Sequence, residues 1–206
     1  MEFAEVVKRR KMVRAFTPEP LPPGTADRLL RAANRAPSAG FSQGYAFLVL
    51  EGEEAAPLWQ LCYADAPSRG DMEERERAEI DALSRAPLVI VPLACKDIYL
   101  DRYAQSDKGW TDREEARWPV PYWYIDTGFT ALLILLAVVD ERLGAVLFGI
   151  QPGIMAAFRD QFGVPGNWTP IGAIAIGFPD PASDPVPPAR SSDRKPLTDL
   201  VHRAHW

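Results

Sequence analysis

The chain has 206 residues, of which 47% are hydrophobic and 25% are charged, and its formal net charge is −5. This composition is ordinary for a soluble globular protein, and the length is sufficient for one sizeable core. The acidic balance, without a basic patch interleaved with aromatic residues, argues against a protein that binds nucleic acid.

The N-terminal region predicts two amphipathic helices separated by a proline-rich linker. Residues 2–12 and 25–35 have the apolar spacing of helices that pack one face on a core, and Thr25 is the expected N-cap of the second. The linker TPEPLPPG cannot continue a helix, because proline lacks the backbone N–H that a helix requires.

Two apolar runs predict strands. YAFLVLE forms the first, and the continuous run PLVIVPLAC is typical of a strand that is covered on both faces. Between them we expect a short helix near residues 55–63 and a charged, largely solvated helix near residues 72–85.

Residues 98–124 combine many aromatic and charged side chains with little regular spacing. The segment is predicted to leave the core, as a lid over a site would. Its rings have two possible roles, which the sequence leaves open. They could contact a substrate, or they could only fasten a loop to the core.

The C-terminal half predicts one long helix, two strands and an extended arm. Residues 125–143 form the helix, and its apolar run TGFTALLILLAVV has thirteen residues, fewer than the roughly 20 that cross a bilayer. AVLFGI and IGAIAIG are the strands, with an amphipathic helix between them, and residues 178–206 form the arm. The N-terminus lacks the apolar stretch of a signal peptide, so we expect one cytoplasmic α+β domain over residues 1–206 that does not associate with a membrane.

The residue types that usually carry enzyme chemistry are scarce. His202 and His205 both lie within the last five residues, and the spacing of Cys62 and Cys95 fits neither a metal site nor a disulfide framework. The sequence also lacks the G-x-S-x-G, H-E-x-x-H and Walker motifs. An enzyme with this sequence would therefore take its chemistry from a bound cofactor rather than from a side chain or a metal.

Three separated features are candidates for a binding site. KRRKMVR places five cations in seven residues and could hold a phosphate or only be a solvated helix end. The turn Pro37–Gly44 carries mainly small side chains, which fits either an ordinary helix-to-strand turn or a flat ligand against bare backbone. GAVLFGI has glycine near each end, for close packing or for a close approach to a ligand.

Four motifs follow one another along the chain. They are the opening RKMVRAFTPEPLPPGTADRLLRAANRAPSAGFSQGYAFLVLEG, the helix DTGFTALLILLAVVDERLGAVLFGI, the strand PIGAIAIGFPDP and the tail RKPLTDLVH. Each of them resembles a segment of the FMN-dependent nitroreductase family. The resemblance implies a nitroreductase-like α+β fold with a central mixed sheet flanked by helices, a long dimer helix and an extended C-terminal arm. It covers nearly the whole chain apart from about residues 65–120.

The resemblance also implies non-covalent FMN at the interface of an intertwined homodimer, with NAD(P)H as co-substrate. Flavin N5 would carry the chemistry, so neither a catalytic side chain nor a metal is expected. Arg10 and Lys11 match phosphate-contacting positions, and Arg194 and Lys195 match the basic pair that completes the clamp. The turn would lie along the ribityl chain and ring edge, and the N–H groups of Phe148 and Gly149 match donors to N5. The full set of implied cofactor contacts is Arg10, Lys11, Met12, Pro37, Ser38, Ala39, Gly40, Gln43, Leu147, Phe148, Gly149, Arg194 and Lys195.

Some positions depart from the family motif. Met12 replaces a serine, so one hydroxyl contact to the phosphate is missing, and Phe41 replaces an asparagine. Gly44–Tyr45 stands where the motif has proline and tryptophan. Substrate contacts are expected from Phe41 and from rings of the aromatic segment, namely Tyr103, Trp110, Trp118, Tyr122 and Trp123.

The function that these observations favour is reduction of electron-poor substrates in two half-reactions. NAD(P)H would reduce the flavin and leave, and a nitroaromatic compound or a quinone would take its place on the same ring face. Two alternatives stay open. One is specialised flavin chemistry, such as flavin destruction to a cobalamin base, reduction of a deazaflavin precursor, or dehalogenation. The other is a flavin-binding protein without catalytic activity.

Overall fold

The structure, a computed structural model, describes residues 1–65, 70–183 and 194–206. The predicted arm is therefore described only in part, since residues 184–193 lie outside these ranges. The helices of the described residues are α1 (Phe3–Arg9), α2 (Thr25–Ala33), α3 (Ala56–Asp65), α4 (Gly70–Ser84), α5 (Lys96–Tyr103), α6 (Tyr122–Asp140) and α7 (Met155–Phe162). The strands are β1 (Tyr45–Glu51), β2 (Leu88–Ala94), β3 (Gly144–Phe148), β4 (Thr169–Pro170) and β5 (Ala173–Gly177).

One sheet contains these strands in the order β1-β2-β5-β3, and the short β4 pairs with the end of β2. Every pair of named strands in the described part of the chain is antiparallel, and the parallel contact expected of a mixed sheet comes from an isolated bridge between Met12 and Ala145. Glu51, the last residue of β1, lies opposite Leu88, the first residue of β2. The connection between β1 and β2 contains two helices, α3 and α4, which contact each other. Because one helix leads away from the sheet edge and the other leads back, β2 begins at the end of the sheet where β1 stops. A single crossover helix would have made this pair parallel.

The two faces of the sheet are both covered, as the apolar runs predicted. On one face Val89, Val91 and Ala175 pack with side chains of α3 and α7. On the other face Ile90, Ile174 and neighbouring residues pack with α2 and α6. Successive residues of a strand point to opposite faces, so a strand buried on both sides must be apolar throughout.

Helix α6 is the long central helix, but it begins three residues earlier than the sequence suggested. Tyr122, Trp123 and Tyr124 therefore belong to this helix and not to a lid. With 19 residues and a mean hydropathy of 1.7, α6 passes a length and composition test for a membrane span, which a core helix of a soluble protein also passes. Its contacts with α2, β2 and β3 identify α6 as a core helix.

The N-terminal segment differs from the prediction because it joins the sheet. Helix α1 ends at Arg9 rather than near residue 12, and the chain then runs beside β3, where Met12 forms a parallel bridge with Ala145. The Val13 N–H donates to the Ala145 carbonyl at 2.9 Å. Thr25 is the first helical residue of α2 and not its cap, which is the left-handed Gly24.

Candidate functional site

Two of the predicted site segments lie at the same end of the sheet. The turn before β1 leads into Tyr45, which lies opposite Ala94 at the end of β2. Phe148, at the end of β3, lies opposite Ala173 at the start of β5. Three strand spacings separate β1 from β3, which places the turn and the end of β3 about 14 Å apart within one chain.

The turn of residues 38–44, called here the glycine turn, is held in an unusual conformation. Gly40, Phe41 and Gln43 have φ values of 61°, 54° and 52°, in the left-handed region that bulky residues seldom adopt. The Ser38 hydroxyl accepts a hydrogen bond from the Gln43 N–H at 3.0 Å, so the side chain predicted to face a ligand also braces the turn. Phe41 is 74% exposed, at the outside of the turn.

The small side chains of this turn make room for two tyrosines of α5. A Cβ on Gly40 would lie 2.7 Å from the Tyr103 ring, and a Cβ on Gly44 would lie 2.4 Å from the Tyr99 ring. Space for a flat ligand was the reason inferred from the sequence. At these two glycines the space is filled by the protein itself.

Two charged side chains that sequence reasoning did not select bind the backbone of the glycine turn. Asp126 accepts hydrogen bonds at Oδ2 from the Ala39 N–H at 2.8 Å and from the Tyr99 hydroxyl at 2.9 Å. Arg102 donates from Nε to the Gly40 carbonyl at 2.9 Å. Burial of Tyr99, followed by its hydrogen bond with Asp126, raises the pKa of this hydroxyl above its ordinary value. Asp126 does carry a sequence signal, since it is an acid directly before the apolar run TGFTALLILLAVV.

The residues at the end of β3 line a cavity of about 550 Å³ together with α3 and α4. Phe148 stacks on Trp59 with ring centroids 5.6 Å apart, and Gly149 has nothing within 4 Å of the position of a Cβ. The backbone at Gly149 is therefore open to a ligand. Leu147 precedes these residues as a half-buried residue of β3. The described lining residues are Trp59, Cys62, Asp65, Glu76, Glu79, Ile80, Leu83, Phe148, Gly149 and Gln151, and Ser38 is not among them.

This cavity is acidic on one side and holds the half-buried thiol of Cys62. Asp65, Glu76 and Glu79 make it unsuitable for a phosphate group, whereas an uncharged ring would not be repelled. Burial, followed by the charge of Asp65, raises the pKa of Cys62 to about 11, so the thiol stays protonated near neutral pH.

The cationic segment is divided between two surfaces. Lys11 and Val13 line a second cavity, of about 700 Å³, together with Arg9 and Arg142. Met12, whose backbone bridges to Ala145, is not among the residues that line this cavity, as expected of an extended segment whose alternate side chains point to opposite sides. Arg10, which caps the end of α1, is not among the residues that line this cavity.

The remaining predicted cofactor residues lie at the surface. Pro37 and Gln43 are exposed in the region of the glycine turn. Arg194 and Lys195 are exposed in the segment 194–206, whose described backbone hydrogen bonds are all internal to it. That segment also exposes four apolar side chains, namely Leu197, Leu200, Val201 and Trp206.

The aromatic segment forms a cluster of rings. Trp118 is at its centre, with its ring centroid 4.5 Å from that of Tyr103 and 5.5 Å from that of Trp110. Tyr122 and Trp123, at the start of α6, lie 5.8 Å and 6.0 Å from Trp118. These contacts favour the interpretation that the rings fasten residues 104–121 to α5 and α6.

Comparisons with known proteins place the chain among oxidoreductases. A model of the Nitroreductase family matches residues 7–178. A protein of Archaeoglobus fulgidus that carries the name NADH dehydrogenase/NAD(P)H nitroreductase is 25% identical over 207 residues, covering 100% of this chain and 99% of the relative. Among solved structures, the nitroreductase CinD of Lactococcus lactis in complex with nicotinic acid has a TM-score of 0.75 and 19% identity, covering 98% of this chain and 100% of the other. A nitroreductase-like protein of Bacillus cereus has a TM-score of 0.70 and 19% identity, covering 98% and 96%.

Proposed function

This chain belongs to the nitroreductase family, and we propose that it is an FMN-dependent oxidoreductase that uses NAD(P)H to reduce nitroaromatic compounds, quinones or similar electron-poor substrates. The observation that carries the proposal is the open backbone at Gly149. This glycine lies beside an uncharged part of a ligand-sized cavity, at the end of the sheet that also carries the glycine turn. We also propose a cytoplasmic location, because Cys62 and Cys95 are free thiols, which suit a reducing compartment, and because α6 packs in the core.

Two separate groups of residues fit the two parts of FMN, its ring and its phosphate. The cavity beside Phe148 and Gly149 can take an uncharged ring and repels phosphate, whereas the cationic segment 8–14 suits phosphate oxygens. We assign the phosphate to Arg10 with the basic pair Arg194 and Lys195, and the ring edge to the backbone of residues 148–149. FMN, when bound, supplies hydride acceptance and donation at N5. The protein would orient the ring and the substrate, and backbone N–H groups would stabilise charge on the ring.

We propose that the complete site is formed by two copies of the chain. The glycine turn and the end of β3 are about 14 Å apart in one copy. This distance is too large for both segments to contact the same edge of one ring. Helix α6 leaves an apolar stripe uncovered, with Ile125, Phe129 and Leu132 at helical spacing, and Phe3 on α1 is 72% exposed. A second copy would cover these side chains and would bring its own glycine turn to the ring.

The substrate is proposed to enter beside Phe41. This ring is the exposed aromatic side chain of the glycine turn, whereas Trp118 and Trp123 already pack on one another. The structures of Lactococcus lactis CinD with nicotinic acid, chloramphenicol and 4-nitrophenol are of a relative that holds small aromatic molecules. An electron-poor aromatic compound is therefore the first substrate class to test here.

The decisive experiment measures FMN and riboflavin binding by the purified protein. Arg10→Ala should weaken FMN binding about tenfold to a hundredfold, the range for a hydrogen bond between charged groups, and should leave riboflavin binding unchanged. Arg31→Ala is the matched control, because Arg31 is an exposed cation in the last turn of α2, outside the cationic segment, and its loss should leave the binding of both ligands unchanged. A wild-type protein that binds neither flavin would disprove the proposal.

Two further measurements test the catalytic and dimer parts. NAD(P)H oxidation should depend on a nitroaromatic compound or a quinone, and tight FMN binding without such turnover would instead support a flavin-storage protein. Loss of FMN under oxygen would support flavin destruction.

Phe129→Glu should shift the mass measured by light scattering from dimer towards monomer, whereas Gln60→Glu, on the exposed side of α3, should not. An unchanged dimer in Phe129→Glu would exclude this face of α6 as the interface.

A further inference from the structure

Asp126 is a buried charge that none of the proposed cofactor contacts includes. It lies near the start of α6 and is only 3% exposed, yet it carries an ionisable group. Removal of a carboxylate from water is unfavourable unless hydrogen bonds replace its hydration. Its two described donors are the Ala39 N–H and the Tyr99 hydroxyl, so the charge joins the glycine turn to both α5 and α6.

The glycine turn needs such support because its conformation is strained. Phe41 and Gln43 both adopt left-handed φ values, and such conformations persist only where the surroundings hold them. Asp126 binds the N–H of Ala39, and Arg102 binds the C=O of Gly40 at 2.9 Å. The Ala39–Gly40 pair is therefore fixed at its donor and at its acceptor by two side chains from different helices.

We propose that Asp126 is a positioning residue that holds the glycine turn in the conformation in which its backbone meets the flavin. This inference rests on the proposed function of the turn as part of an FMN site. Asp126 acts through Ala39 and does not itself touch the cofactor. Arg102 supports the turn in the same way. Two nitrogens of its guanidinium each donate to Asp107 at 2.8 Å, so Arg102 also connects the loop after α5 to the turn.

Loss of the carboxylate should act on the free protein first. Without its partner, the Ala39 N–H is exposed to exchange with solvent, and the turn populates conformations other than the strained one. FMN binding must then restore the turn, so the apparent affinity falls by the fraction of molecules that are competent to bind. The expected loss is about tenfold to a hundredfold, as for one hydrogen bond to a charged group.

The test compares Asp126→Ala with Thr130→Val. The control removes another buried polar group of the same helix, whose one hydrogen bond within the described residues goes to the Thr127 carbonyl at 2.7 Å and not to the turn. Hydrogen exchange of peptides that span residues 38–44 is measured by mass spectrometry without flavin, and the FMN dissociation constant is measured by titration. Asp126→Ala should accelerate exchange in these peptides and weaken FMN binding, and Thr130→Val should do neither.

Two conservative variants keep the proposal testable if Asp126→Ala does not fold. Asp126→Asn retains an acceptor oxygen for Ala39 and should cause a smaller acceleration of exchange and a smaller loss of FMN affinity. Tyr99→Phe retains the bond from Ala39 and should leave the FMN affinity within a few-fold of wild type. Folded Asp126 variants that match Thr130→Val in both measurements would overturn the inference. A wild-type protein that binds no FMN would remove the proposed function instead, and the exchange rates would still decide whether Asp126 holds the turn.

Discussion

Gly44 is the position in the glycine turn where one added methyl group should have the largest effect on stability. An ideal Cβ there would lie 2.4 Å from Tyr99 Cε2 and 2.8 Å from the Cys95 carbonyl oxygen. Tyr99 is fully buried, and its hydroxyl bonds to Asp126. The Cys95 N–H donates to the Gly44 carbonyl at 2.8 Å. Neither neighbour can retreat without the loss of a hydrogen bond, so Gly44→Ala should push the turn away from α5.

The magnitude follows from two contributions. Overpacking of a well-filled site costs about 1–3 kcal/mol, and a buried hydrogen bond that is broken without a replacement costs about 1–3 kcal/mol more. Together they predict a loss of about 2–6 kcal/mol in the free energy of unfolding. In a domain of this size, each kcal/mol lowers the melting temperature by about 2–4 °C. We therefore expect Gly44→Ala to melt about 4–24 °C below the wild-type protein.

The assay is thermal and urea denaturation of the flavin-free protein, with Gly166→Ala as the matched control. Gly166 has no neighbour within 4 Å of the Cβ position and no left-handed φ, so its substitution should change the free energy of unfolding by less than about 0.5 kcal/mol. If both variants melt within a degree or two of each other, close packing of Tyr99 is not the reason for a glycine at position 44. The explanation of the turn by tyrosine packing would then be refuted.

Three further substitutions test other parts of the structure. Arg142 has a left-handed φ of 61°, which costs a residue with a side chain about 1 kcal/mol of stability and costs glycine little. Arg142→Gly should therefore raise the melting temperature by about 2–4 °C, and a lower melting temperature would contradict this explanation. The pKa of Cys62 is raised from 9.0 to about 11 by burial and then by Asp65, so the thiol stabilises the fold fully below about pH 9 and loses that contribution as the pH approaches 11. Cys62→Ala should therefore lose less stability over this pH range in urea titrations, and parallel pH curves would refute the assignment. Trp59→Ala removes a buried ring stacked on Phe148 and should cost about 3–5 kcal/mol in urea denaturation, whereas a loss below 1 kcal/mol would show that the stack is unimportant.

The central strands could be predicted from the sequence because their burial dictates their composition. In β2 and β5 every residue is buried, which leaves no place for the polar alternation of a half-exposed strand. The direction of pairing between β1 and β2 follows from the two helices that connect them. The sequence predicts both helices, near residues 55–63 and 72–85, and the structure has them as α3 and α4.

The start of α6 was missed because its first residues are poor indicators of a helix. Tyr122, Trp123 and Tyr124 have weak helix preference and resemble the loop before them, although Pro121 is a usual residue just before a helix. The role of Asp126 could not be predicted for a related reason. A charge at the edge of an apolar run usually marks a solvated end, and only tertiary contacts with Ala39 and Tyr99 distinguish a buried, partnered carboxylate.

The glycines show most directly where sequence reasoning stops. A glycine in the sequence records that a side chain is absent, but not what occupies the space. At Gly40 and Gly44 tyrosine rings occupy it, whereas at Gly149 the structure leaves it open. The three glycines look alike in the sequence but have opposite physical roles. Gly40 and Gly44 allow tight packing of tyrosine rings, whereas Gly149 leaves the backbone accessible. A flat ring therefore has room on the Cβ side of the backbone at Gly149, whereas at Gly40 and Gly44 tyrosine rings take that side and a ligand can meet only the remaining backbone of the turn.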